Sequence, residues 1–137
     1  MHPATLFDKL WNDHVVADLG EGFALLHVDR HLVSDPGSKA LVALRARGLR
    51  VRNPELHFAI PDHAVSTAPG RAGQSANAIR YLTDLRRETA HQGIRLFDLG
   101  EIGQGIVHVV GPELGLSLPG ASVVCSDSHT CTHGGLG

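Results

Sequence analysis

The thirteen residues from Cys125 to Gly137, CSDSHTCTHGGLG, hold the densest reactive chemistry of the sequence. Asp127, Ser128 and His129 place a carboxylate, a hydroxyl and an imidazole in consecutive positions. A nucleophilic triad is a poor fit, because a serine beside its own histidine does not readily align with it and no G-x-S-x-G elbow occurs. A polar turn that binds an anionic substrate through Ser128 and backbone N–H groups fits better. Upstream, Asp62-His63 sets an acid beside an imidazole. A neighbouring carboxylate raises the pKa of an imidazole and can orient it as a general acid. Adjacent side chains on a strand point to opposite faces, so this pairing requires a turn, which Pro61 favours. On the dipeptide alone, a turn capped by Asp62 is the better account.

Cys125, His129, Cys131 and His133 invite a zinc reading. Structural zinc sites separate their ligand pairs by a loop of a dozen residues or so, whereas these pairs interleave. His129 and His133 have the i, i+4 spacing of zinc proteases, but no Glu follows His129. Zinc is the weaker account. His108 sits in the apolar run GIVHVV and reads, on its setting, as a core histidine. The stretch GEIGQGIVHVVG lacks the G-x-G-x-x-G fingerprint, and no P-loop lysine is present, which argues against nucleotide binding.

Elements that could position these groups follow from the apolar periodicity. Leu6, Phe7, Leu10, Trp11 and Val15 predict a helix capped by Thr5 and broken at Gly20 and Gly22. FALLHVDRHLV reads as one buried strand, SKALVALRARG as a helix from Ser38 to Gly48, and LHFAI as a strand ending at Pro61. STAPGRAGQS is a loop, and Ser75 to Gln92 is the clearest helix, with Gly93 as its C-cap. IRLFDLG reads as a strand. GIVHVV is a strand by propensity, although VVGPELG could equally open a helix, and GASVVCSD is the last strand. Alternating strands and helices predict an α/β fold with a mainly parallel sheet. Ligands gather at the carboxyl ends of such strands, so Asp62 and Asp127 are expected on one edge.

A chain of 137 residues with 42% apolar and 19% charged residues fits one globular domain. The net charge of −2 gives neither a basic field for nucleic acid nor a polybasic anchor for a membrane. No apolar run approaches the ~18 residues of a spanning helix. Two cysteines make no disulfide scaffold, and a cytoplasmic, reducing setting fits best. Ten histidines invite acid–base or metal chemistry.

In order along the chain, TLFDKLW, DRHLV, PDH, IRLFDLG, QGIVHVVGPELGL and DSHT-T-HG-LG together resemble the large subunits of isopropylmalate dehydratases, in the aconitase superfamily. The resemblance covers nearly the whole chain. It implies a three-layer α/β/α first domain, residues 1–137, of a longer subunit, incomplete here. It implies a hydro-lyase that isomerises 2-isopropylmalate and 3-isopropylmalate by dehydration and rehydration, in leucine biosynthesis. Other hydratases of the superfamily, acting as aconitase, homoaconitase or maleate and citraconate hydratases, are the nearest alternatives. The implied cofactor is a [4Fe–4S] cluster whose cysteine ligands lie outside this chain, so no metal ligand is assigned here. The implied partners are a small subunit carrying a swivelling domain with the catalytic base, and a small dicarboxylate substrate. By the same resemblance His63 is the acid paired with Asp62, and His108 becomes a second active-site histidine. Asp127 and His129 complete the network, and Ser128 meets a substrate carboxylate. Ser34 stands in a stretch, Ser34 to Gly37, that helps bind substrate in the family, yet the family commonly has His-Glu and then Thr-Ser there.

Overall fold

The computed structural model describes residues 3–136. Its centre is a four-stranded parallel sheet in the order β5-β4-β3-β6. The strands are β3 (Arg30–Ser34), β4 (His57–Ile60), β5 (Arg95–Leu96) and β6 (Val123–Cys125). Alternation along the strands sends successive side chains to opposite faces. Val33 and Ala59 meet Leu41 of α2 (Ser38–Ala46) and Leu85 of α3 (Ala76–Gln92) on one face. Leu32 and Ile60 meet Val107 and Val110 of α4 (Val107–Glu113) on the other. Helices cover both faces, which makes the three layers expected of the sequence.

Each helix has a local or distant cause. Thr5 and Asp8 form a reciprocal capping box at the start of α1 (Leu6–His14). Ser75 accepts the Ala78 N–H at the start of α3, and Gly93, at φ 76°, closes it in the left-handed conformation that glycine adopts freely. Among the described residues, no helix is long and apolar enough to cross a membrane.

Three expectations are corrected. FALLHVDRHLV is not one strand: Phe23–Leu26 (β2) pairs antiparallel with Val15–Gly20 (β1) in a hairpin outside the main sheet, and only Arg30–Ser34 joins that sheet, with Leu32, Val33 and Ser34 buried. The hairpin turn is made by Glu21 and Gly22, both at positive φ, as the twist of a two-residue connection demands. Val15 accordingly opens β1 and does not extend α1. For GIVHVVGPELG the helical alternative holds over the strand, with Val107–Glu113 forming α4. Val107 and Val110 are buried and Ile106 and Val109 exposed, a helical spacing that packs α4 on the sheet despite the β-branched run. IRLFDLG contributes only the two residues of β5.

The hairpin and α1 present Phe7, Val16, Leu19 and Phe23 to solvent. The sheet, by contrast, is anchored on Leu32, which is fully buried between β4, β6 and α4. Leu32→Ala is expected to cost about 2–5 kcal/mol in urea unfolding followed by circular dichroism. Leu19→Ala, on the exposed hairpin, should stay within about 0.5 kcal/mol of the parent. Equal losses for the two would show that the sheet is not the stability centre.

Candidate functional site: a histidine held between two carboxylates

Three neighbouring strands end alike. LVSD closes β3, AIPD follows β4, and VCSD follows β6, each bringing an aspartate to the carboxyl edge of the sheet. The three carboxylates then do different things.

Asp35 is fully buried. Its Oδ1 accepts the N–H groups of Asp62 at 2.9 Å and His63 at 2.8 Å, and its Oδ2 accepts that of Ala64 at 2.6 Å. Three donors in a row converge on one carboxylate, so the chain turns sharply after Pro61. The turn answers the strand-alternation objection, because it lets Asp62 and His63 face each other. Asp62 Oδ1 lies 2.6 Å from His63 Nδ1. Its Oδ2 accepts the Val107 N–H at 2.8 Å and so caps α4, whose N-terminus favours a negative charge. Gln104 Nε2 donates to the Pro61 carbonyl and ties the α4 approach to the same turn.

The third carboxylate comes from the other side. Asp127 Oδ2 sits 2.5 Å from His63 Nε2. Both ring nitrogens of His63 therefore face carboxylate oxygens, a placement that suits the doubly protonated imidazolium. Burial pulls the His63 pKa down, but the bonds to Asp62 and Asp127 outweigh it and raise the pKa above its ordinary 6.5. The side chains of Asp62 and Asp127 are 5% exposed, whereas the His63 ring is 39% exposed. Of the three, the imidazole is the group a substrate can reach.

Asp127 is held well below the usual carboxylate range, first by His108 and then by the His129 N–H and His63. His108 Nε2 donates to Asp127 Oδ1 at 2.7 Å, and the His129 N–H reaches the same oxygen at 2.6 Å. Behind His108 stands His133, with Nε2 at 2.9 Å from His108 Nδ1. Burial, and then the neighbouring His108, lower the His133 pKa. Gly111 on α4 makes room for this ring: a Cβ there would lie 2.9 Å from His133 Cε1.

The structure thus brings Asp62, His63, His108 and Asp127 into one hydrogen-bonded line, with Asp62 and Asp127 on the same sheet edge. His129 joins through its backbone, while its imidazole is exposed and 3.4 Å from Asp127 Oδ1. Ser128 is exposed beside it. Ser34 lies outside this line, fully buried with its hydroxyl against Ser126 Oγ. Asp35 and His133 were missed as members. The repeated strand ending in Asp was the available signal for Asp35, and for His133 none existed beyond its presence in the polar cluster.

The four zinc candidates are not gathered at one point among the described residues. Cys125 packs on the apolar face of the sheet beside Leu32, His133 faces His108, and Cys131 is exposed. Among the described residues the only close group of three metal-type donors is Asp35, Asp62 and His63, and there Asp35 is already occupied by backbone N–H groups. Nor do the residues present fit an iron–sulfur cluster. Such clusters take thiolates, commonly four. This chain has two cysteines, and burial pushes the Cys125 thiol up to about 11, which keeps it protonated.

The carboxyl edge of the parallel sheet carries paired acids and histidines, groups suited to proton transfer, and the chain belongs to the aconitase family. The family model, described as aconitate hydratase, matches residues 8–137. Within that family the chain is 60% identical over 134 residues to 3-isopropylmalate dehydratase large subunit 1 of Bradyrhizobium diazoefficiens, an alignment covering 97% of this chain and 28% of that protein. The chain therefore spans little more than a quarter of the length of the curated relative it matches.

The pKa directions set two pH windows. His63 stabilises the fold below its ordinary 6.5, and that contribution is lost as pH rises through its raised value. Asp127 contributes above its ordinary 3.8, and its share is lost as pH falls through its lowered value. In a proton NMR titration the His63 midpoint should lie above 6.5 and fall in Asp127→Asn. An unchanged midpoint in that variant would remove Asp127 as the cause.

Proposed function

We propose that the chain is part of the large subunit of a hydro-lyase that interconverts 2-isopropylmalate and 3-isopropylmalate through loss and return of water. The observation that carries this reading is the 60% identity, along almost the entire chain, to a protein with that name. The geometry supports an assignment of roles. Dehydration breaks a carbon–oxygen bond and requires a proton on the departing hydroxyl. His63 holds two such protons, Nδ1–H toward Asp62 and Nε2–H toward Asp127, and these bonds raise its pKa; the Nε2–H turns from Asp127 to the hydroxyl when substrate binds on the exposed side of the ring. After transfer to the hydroxyl, water leaves, and the ring retains one N–H bonded to a carboxylate. Rehydration runs the same transfer in reverse, with His63 accepting a proton from the attacking water.

Asp127 holds the orientation of two imidazoles at once, and His108 with His133 fixes Asp127 from behind. Ser128 and the exposed His129 supply donors on the open side for a substrate carboxylate. The proton on carbon is removed by a base outside this chain, on a small subunit. An iron–sulfur cluster in the complete enzyme, with thiolate ligands from residues beyond those present, is likewise part of the proposal, as are a cytoplasmic location and a role in leucine biosynthesis.

The test is activity of the full-length large subunit assembled with its small subunit. It should turn over 2-isopropylmalate in preference to citrate, homocitrate, maleate or citraconate; a preference for any of those acids would move the reading to another hydratase. In that enzyme His63→Ala should lower turnover by about 10²–10⁴, the usual contribution of a general acid, with the cluster's visible spectrum unchanged. Asp62→Asn should reduce it as well, through the weaker hold on the ring. Near-normal turnover in His63→Ala would assign the proton to another residue.

A further inference from the structure

At the opposite edge of the sheet, away from the aspartates, β3 and β4 bring two more histidines together. His31 and His57 are register partners in the parallel pair. Their Nδ1 atoms lie 2.9 Å apart, with the rings nearly perpendicular at 76° and centroids 5.0 Å apart. They lie on the floor of an open cavity of about 450 Å³, whose rim includes His27, Arg50, Arg52 and Asn53. Nothing in the proton-transfer line uses them.

We propose that His31 and His57 form a two-histidine site for a divalent transition ion of the nickel, copper and zinc series. The reason is the direction of the nitrogens. In the metal-free chain one Nδ1–H donates to the other Nδ1 at 2.9 Å. When both rings carry their proton on Nε2 that bond is lost, and two neighbouring Nδ1 lone pairs on adjacent strands held by the sheet become free for one ion after a small tilt of the rings. Imidazole bonds such an ion at about 2.0–2.1 Å, so the nitrogens need only part by a few tenths of an ångström. Neutral imidazole is the form that ligates. Burial, and next the neighbouring His57, lower the His31 pKa to about 4, and burial lowers that of His57. Protons therefore compete weakly for the site. The remaining coordination positions open into the cavity, where water or a small anion can take them. Arg50 and Arg52 on the rim favour the anion and hold the affinity for a bare cation to a modest level. The site is independent of the hydro-lyase reading, since it shares no residue with it.

The experiment is titration of the 137-residue chain with Ni²⁺ alone, read by calorimetry and by nitrogen-edited NMR of the imidazoles. The first equivalent should broaden the His31 and His57 rings before those of His63, His108 and His129. His57→Thr and His31→Gln should each weaken that first binding step at least about tenfold, as expected for the loss of one of two nitrogen ligands. The amide spectrum of each variant reports whether it remains folded, and if either unfolds, the order of broadening in the parent decides. First broadening at His63, His108 or His129, or unaltered first-step affinity in a folded His57→Thr, would overturn the assignment.

Discussion

The buried carboxylate of Asp35 sets the geometry on which the site depends. It is shut off from solvent, and it is made tolerable by three backbone N–H groups in sequence, those of Asp62, His63 and Ala64. Charged acceptors bind such donors more strongly than neutral ones, and a buried carboxylate without them is costly. The turn after β4 is thus bound to the end of β3 by charge as well as by the sheet. Any side chain at position 35 that cannot accept at two oxygens releases at least one of those donors. The alternation of a strand would then return, with Asp62 and His63 pointing apart.

Around this turn the electrostatics close on themselves. Two carboxylates, Asp62 and Asp127, share the one imidazole between them, and each has a further anchor: the Val107 N–H for Asp62, and His108 with the His129 N–H for Asp127. Breaking a buried pair by removing one partner is worse than never having made it, because the charge left behind stays desolvated. Loss of the His63 ring leaves two nearly buried carboxylates facing one another. Loss of Asp127 leaves two imidazoles without their common acceptor. The site is therefore a set of mutually dependent charges, and its members do not act additively.

The sequence displays the ends of this arrangement better than its middle. Strand and helix alternation predicted the parallel sheet, and the sheet predicted that Asp62 and Asp127 share an edge. The clearest helix, with Ser75 and Gly93 as caps, stands as expected, because its signals are local. What was not legible came from contacts distant in sequence. GIVHVV reads as a strand because its β-branched residues favour one, and the cap that makes it a helix is an aspartate 45 residues earlier. FALLHVDRHLV reads as one strand because hydrophobicity does not reveal which half pairs with β1. Ser34, one residue before a buried aspartate, is itself buried. His133 was visible only as a donor, and its role depends on a ring that α4 brings to it across Gly111.

The strand order carries a consequence in time. β6 is the last strand along the chain, yet it pairs with β3, one of the earliest. During synthesis the β3 and β4 ends, with Asp35 holding the turn, become available first. At that stage His63 has one carboxylate, and its second nitrogen faces solvent. The imidazole acquires its full charge environment only when β6 docks and Asp127 arrives beneath it. Contacts of such separation are slow to close, because the intervening loop must be ordered first. The full rise in the His63 pKa is thus a late event of folding, and its titration reports whether β6 has found its place.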